Sequence, residues 1–156
     1  MSWQVELVRI LRHLVNDLST SPTFEDSRLE EVLLVSAQLI QNSLTFLNTY
    51  TVDVDSCTLT PDPTSGTKDN GFINLVLLKA RCIIRESEYR SQATNSGFTV
   101  VDGPTRVSTE GSLKGYKDMW ERACKDYDKA KFDYAAGSLC PGEAILGPFS
   151  SPNLTF

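Results

Sequence analysis

One stretch limits what this chain can fold into more than any other, the run from Phe72 to Ile84. Phe72, Ile73, Leu75, Val76, Leu77, Leu78, Ala80, Cys82, Ile83 and Ile84 fall on nearly every side of a helical wheel. A helix that is apolar all round is the central member of a bundle. Asp69 or Asn70 stands in the capping position before it, and the helix is predicted to reach about Ala93. Its second half, Arg85 to Gln92, turns polar and should emerge from the core.

Such a helix needs amphipathic partners, and the spacing predicts them. Trp3, Leu7, Ile10, Leu11, Leu14 and Leu18 recur at three- and four-residue steps, which gives a first helix from Trp3 to Leu18. Glu6, Arg9, Arg12 and Asp17 lie mostly off that stripe, and Ser19 to Pro22 ends the helix. A second helix begins near Phe24 to Ser27, where Ser27 and Glu30 have capping-box spacing. Leu29, Val32, Leu33, Ser36, Ile40, Leu44 and Leu47 form its inner face. The last helix spans about Ser112 to Ala136, with a stripe of Leu113, Tyr116, Trp120, Ala123, Tyr127, Ala130 and Tyr134. Its other face mixes charges at i,i+4 spacing, such as Lys114 with Asp118 and Glu121 with Lys125. Gly137 is expected to stop it.

Elsewhere the period is two. Tyr50, Val52, Val54 and Ser56 alternate with Thr51, Asp53, Asp55 and Cys57, which predicts one extended arm over about 49–60, closed by Pro61 and Pro63. Strand-like residues on both sides of Asp102-Gly103-Pro104 predict a β-hairpin over about 98–109. A lone two-stranded hairpin is marginal and wants something to lie on. Beyond Gly137, prolines and glycines exclude a long helix, yet Leu139, Ile145, Leu146, Phe149, Leu154 and Phe156 make the tail too apolar for an idle one. The predicted fold is mainly α: a bundle of about four helices with an arm, a hairpin and an extended C-terminal tail. Residues 1–136 form the helical domain and residues 137–156 a docking tail.

Charge and composition exclude several classes. The net charge is −5 and the pI about 4.9, with no basic cluster of the kind that holds a nucleic-acid backbone. No run approaches the roughly 18–20 apolar residues of a membrane span. Glu6 and Arg9 interrupt the apolar residues of the N-terminus, so it lacks the core of a signal peptide, and the protein is expected to stay where it is made. Cys57, Cys82, Cys124 and Cys140 are widely spaced and expected to remain reduced thiols, without the paired spacing of a zinc site.

A catalytic set is hard to assemble. His13 is the single histidine and lies within an amphipathic helix. Asp53-Val54-Asp55 has the form of the paired aspartates of haloacid-dehalogenase-type phosphotransferases, but that chemistry needs a parallel α/β sheet and the predicted elements are helices. On an extended arm these aspartates read as charges that protect a strand edge. The spacing of Asp53, Asp55, Asp62 and Asp69 does not match a calcium loop. The chain is expected not to be an enzyme.

The order of elements resembles the head–tail adaptor proteins of tailed bacteriophages, also called connector, neck or head-completion proteins. The resemblance rests on two amphipathic N-terminal helices, then Tyr50-Thr51-Val52-Asp53 and Pro61-Asp62-Pro63. The helix opening Asp69-Asn70-Gly71-Phe72-Ile73-Asn74-Leu75 comes next, followed by the hairpin at Asp102-Gly103 and a long last helix. The ending is Gly142-Glu143-Ala144-Ile145-Leu146-Gly147-Pro148-Phe149. It covers nearly the whole chain with loose motifs. It implies a structural virion protein, made in the host bacterial cytoplasm and placed in the neck. Such adaptors form a heterologous ring, typically of about twelve copies, under the portal protein. They meet a stopper or tail-terminator protein on the far side, pass DNA as cargo only, and need no membrane or cofactor. By that reading Phe98, Val100 and Val107 serve the contact between subunits. Side-chain chemistry nominates Ile145, Leu146, Phe149 and Phe156 as anchors on the portal. The alternative is a small intracellular helical protein-binding module, regulatory or antitoxin-like.

Overall fold

Asp69 starts the helix that organises the molecule. Its Oδ1 accepts the amide hydrogen of Phe72 at 3.0 Å and its carbonyl accepts that of Ile73 at 2.9 Å, so the first orphan donors of the helix are satisfied. The computed structural model describes residues 2–95, 100–102, 105–107 and 110–139. Over these the order is α1 (Trp3–Val15), α2 (Asp26–Gln41), β1 (Thr51–Asp53), β2 (Thr58–Thr60), α3 (Asn70–Asn95), β3 (Val100–Asp102), β4 (Thr105–Val107) and α4 (Glu110–Leu139). The fold is mainly α, with helices at the four predicted places.

α3 is central, as its all-round apolar sequence requires. Phe72, Leu75, Val76 and Ala80 are at most 1% exposed, and Leu7 and Leu11 of α1 and Leu29, Leu33, Leu34 and Ile40 of α2 close on them just as tightly. Each fully buried leucine of this kind is worth roughly 1.5–3 kcal/mol relative to leaving it in water.

Named contacts give the helix directions. Glu6 pairs with Lys68 just before α3 begins, and the carbonyl of Val15 accepts from Arg85 Nη2 at 2.8 Å further along it, so α1 runs parallel to α3. α2 runs the opposite way, since Phe24 and Leu29 at its start border Ile83 and Ile84. α4 also opposes α3: Tyr134 lies against Gly71, Tyr127 under the Lys79 ammonium, and Trp120 stacks on Tyr89 with ring centroids 5.2 Å apart. The bundle is therefore up-down-up-down.

α1 stops early because Asn16 takes a left-handed conformation, φ 56°. Asp17 then holds the loop into α2. Its carboxylate accepts from the amides of Thr23 and Phe24 and from Arg12 Nη1 at 2.7 Å, while Arg12 also binds Asp26 and the carbonyl of Phe24. Leu18, predicted on the α1 stripe, is consequently outside it and 55% exposed.

Four further features depart from the sequence reading. The arm over 49–60 is folded back as a hairpin, with β1 and β2 antiparallel and Val52 opposite Leu59. Asp53 accepts the amides of Asp55 and Ser56, and Cys57 at φ 54° completes the reversal. At α2, the N-cap is Glu25 without a side-chain hydrogen bond, so the Ser27–Glu30 box does not form, and the helix ends at Gln41 rather than reaching Leu47. α4 continues through Gly137 to Leu139. Finally, Cys82 and Cys124 form a disulfide instead of remaining thiols. The antiparallel α3–α4 pairing brings their Cα atoms to 4.8 Å, well within bridging range.

Candidate functional site: the two ends of the bundle

The predicted reactive groups do not converge. His13 is exposed on α1. Asp53 closes the β1–β2 turn, and hydrogen bonds from Ser56, first its hydroxyl and then its amide, hold its carboxyl below the usual range. Cys57 has its Sγ 3.6 Å from Glu30 Oε2; burial, then that carboxylate, pushes its thiol up and keeps it from being an activated thiolate. Among the described residues no three His, Cys, Asp or Glu side chains gather as a metal group, and no helix is long and apolar enough to cross a membrane.

Surfaces at the ends of the bundle are better developed. One end gathers the C-terminus of α2, the start of α3 and the last turns of α4. Tyr50 anchors it, stacked on Phe72 at 3.9 Å and donating its hydroxyl to Asp69 Oδ2 at 2.8 Å. Burial, reinforced by the Asp69 carboxylate, pushes this phenol up to about 12. Phe46 meets the edge of Phe72 at 5.2 Å and the tilted ring of Tyr134 at 5.1 Å. Tyr134 sits so close to Gly71 that a Cβ there would lie 2.8 Å from its ring. A groove of about 370 Å³ opens beside these rings, lined by Gln41, Asn42, Ser43, Leu44, Thr45, Tyr134 and Ala135.

Two large apolar side chains stand outside the packing near this end. Leu47 is 99% exposed and Phe132 is 73% exposed. The periodic reading missed both. Leu47 falls on the extrapolated α2 stripe, but the helix has already ended. Phe132 is two residues from Tyr134, hence on the opposite face of α4. The chain leaves α4 at Leu139 on this same end. Ile145, Leu146, Phe149 and Phe156 lie outside the described residues, as does Cys140.

The other end carries the second hairpin. β3 and β4 are antiparallel, with Val100 opposite Val107 and Asp102 opposite Thr105; Phe98 lies outside the described residues. The last core residue of α3 is Ile84, and Val15 and Phe24 mark the limit of α1 and α2 there. α3 continues to Asn95, so the α3–α4 pair and its hairpin extend past the other helices by on the order of 12 Å, at 1.5 Å per residue. Within α4, Lys117 pairs with Glu121 at 3.7 Å between half-exposed side chains, which contributes little.

No protein-family model, curated protein or solved structure matches the chain.

Proposed function

We propose that this chain is a non-catalytic subunit of a head–tail adaptor ring in a tailed bacteriophage, lying between a portal protein and a stopper or tail component. One observation carries the reading: the exit of the apolar C-terminal segment and the β3–β4 hairpin stand at opposite ends of one antiparallel helix pair. α4 has 30 residues, which is about 45 Å of helix. A subunit built this way can hold one partner layer with its tail and reach another with its hairpin. Leu47 and Phe132 add apolar contact area near the tail exit, the kind of side chain that carries binding energy once covered. The loose resemblance in element order points the same way.

The test is to image particles made with and without the protein. The reading expects heads that lose DNA and carry no tail in its absence, and a ring beneath the portal in its presence. Normally tailed, infectious particles lacking the protein would rule it out.

A free-standing helical binding module is the second reading. It is favoured by the way Leu7, Leu33, Phe72 and their neighbours close a core within a single chain. Such a module stays monomeric when mixed with portal and binds a soluble host protein instead. Portal, capsid and tail genes beside its own would decide for the adaptor.

A further inference from the structure

Among the described residues, α4 buries the fewest side chains of the four helices. Of its described residues only Ala123 and Tyr127 are fully buried; Tyr127 belongs to the buried apolar cluster, and Ala130 and Tyr134 pack against it half-buried. The face it presents to α3 leaves two donors, Arg81 Nε and Trp120 Nε1, buried without a hydrogen-bond partner. Native helix interfaces rarely leave such orphans, because each forfeits its hydration for nothing. Both flank one bond: Arg81 precedes Cys82, and Trp120 stands one turn before Cys124. The ion pair alongside, Arg81 with Asp126 at 3.0 Å, is partly in water and holds little. Besides the Trp120–Tyr89 stack, the Lys79–Tyr127 contact and Tyr134 against Gly71, one tie between α3 and α4 is covalent.

We propose that the Cys82–Cys124 disulfide is a redox-operated latch that decides whether α4 stays docked along α3. Opening follows ordinary thiol–disulfide exchange. A thiolate of a dithiol reductant attacks one sulfur, forming a mixed disulfide and releasing the other cysteine as thiolate. The second thiol of the reductant then closes its own ring and frees the remaining cysteine. Two electrons pass from the dithiol to the protein, and two protons end on the cysteine sulfurs. Glutathione disulfide reverses the step and leaves as two molecules of glutathione. α1, α2 and the first half of α3 keep their core in both states, since among the described residues Tyr127 is the fully buried side chain that α4 adds to it. The latch is closed where disulfides persist and open in a reducing compartment.

Hydrogen exchange read by mass spectrometry tests this on the full chain, in a Cys57→Ser, Cys140→Ser background that removes the other thiols. Protein oxidised with glutathione disulfide is compared with protein reduced by dithiothreitol, the thiol count being checked by alkylation. α4 amides should exchange at least tenfold faster after reduction, while amides around Leu7, Leu11, Leu33 and Leu34 keep their rates. Reoxidation should restore α4, and adding Cys82→Ser and Cys124→Ser should reproduce the reduced pattern under oxidising conditions. Unchanged α4 exchange after verified reduction would overturn the proposal. So would an equal acceleration in every helix, which makes the bond a general stabiliser, or failure of the two cysteines to pair under the oxidant.

Discussion

Asp17 is 7% exposed and still charged. Burial alone would push its carboxyl up, but the amides of Thr23 and Phe24 and the guanidinium of Arg12 outweigh that and hold it below the ordinary 3.8. Asp62 is shifted the same way: burial raises it, and the hydroxyl and amide of Thr64 with the amide of Trp3 more than offset that. A carboxyl lowered in the folded state stabilises fully above its unfolded pKa and loses that contribution as pH falls through the folded value. Stability should therefore decline as pH drops below about 4. Urea melts of Asp17→Asn should show a loss of about 2 kcal/mol at neutral pH, from the charged hydrogen bonds removed, and a flatter acid limb. Equal slopes for wild type and variant would contradict this account. Leu47 and Phe132 argue the opposite case, as apolar groups that do nothing for the fold. Leu47→Ser and Phe132→Ser should each change stability by less than about 0.5 kcal/mol, whereas Leu33→Ala should cost about 2–5 kcal/mol. If the adaptor reading holds, the two serine variants lose portal binding in a pull-down while their melting curves overlay the wild type.

At the level of elements, the start of α3 concentrates the most in one side chain. Asp69 caps the helix through Phe72 and accepts from Tyr50. Asp69→Ala removes a cap worth about 1 kcal/mol and strands a buried phenol at about 1 kcal/mol more. Tyr50→Phe should cost only the second part, and chemical denaturation of the pair separates the two contributions. This helix was legible because its apolar run and its aspartate cap are both local signals. The β1–β2 hairpin was not, because its turn residues Val54, Asp55, Ser56 and Cys57 contain none of the glycine or asparagine that marks a tight reversal. A period of two fits an arm and a hairpin equally until something shows where the chain turns. Helix ends were lost for a related reason. Leu18 and Leu47 continue the helical spacing past the point where Asn16 and Asn42 end the helix, and spacing says nothing about the backbone there. The disulfide was hidden by distance: its cysteines are 42 residues apart, and only the α3–α4 register makes them neighbours. As for the candidate site, Val100 and Val107 stand opposite each other in the β3–β4 hairpin, within the stretch the strand-like residues around Asp102-Gly103 marked out. Phe132 carries no sequence signal beyond being apolar, and the helical spacing of Leu47 pointed it inward although it is exposed.

For the molecule as a whole, the arrangement separates the folded body from what leaves it. Among the described residues, α1, α2 and α3 share one buried core, and in the proposed adaptor the segment beyond Leu139 docks on the portal. A chain ending at Leu139 should therefore keep its helical circular-dichroism spectrum and cooperative melt, yet fail to attach to the portal when the two are mixed. Loss of the fold on truncation would mean that the tail packs back on the bundle, and normal attachment would remove the tail as an anchor. The covalent tie between α3 and α4 has a mechanical consequence. Tension applied to the C-terminus travels down the end of α4 to Cys124, crosses to Cys82 and continues toward the N-terminus, bypassing everything between them. The tip of the α3–α4 pair and the β3–β4 hairpin hang on a slack branch that carries no load. Stretched between its termini in an optical trap, the oxidised chain should come up short by the contour of 42 residues, about 140–150 Å, and reduction should return that length.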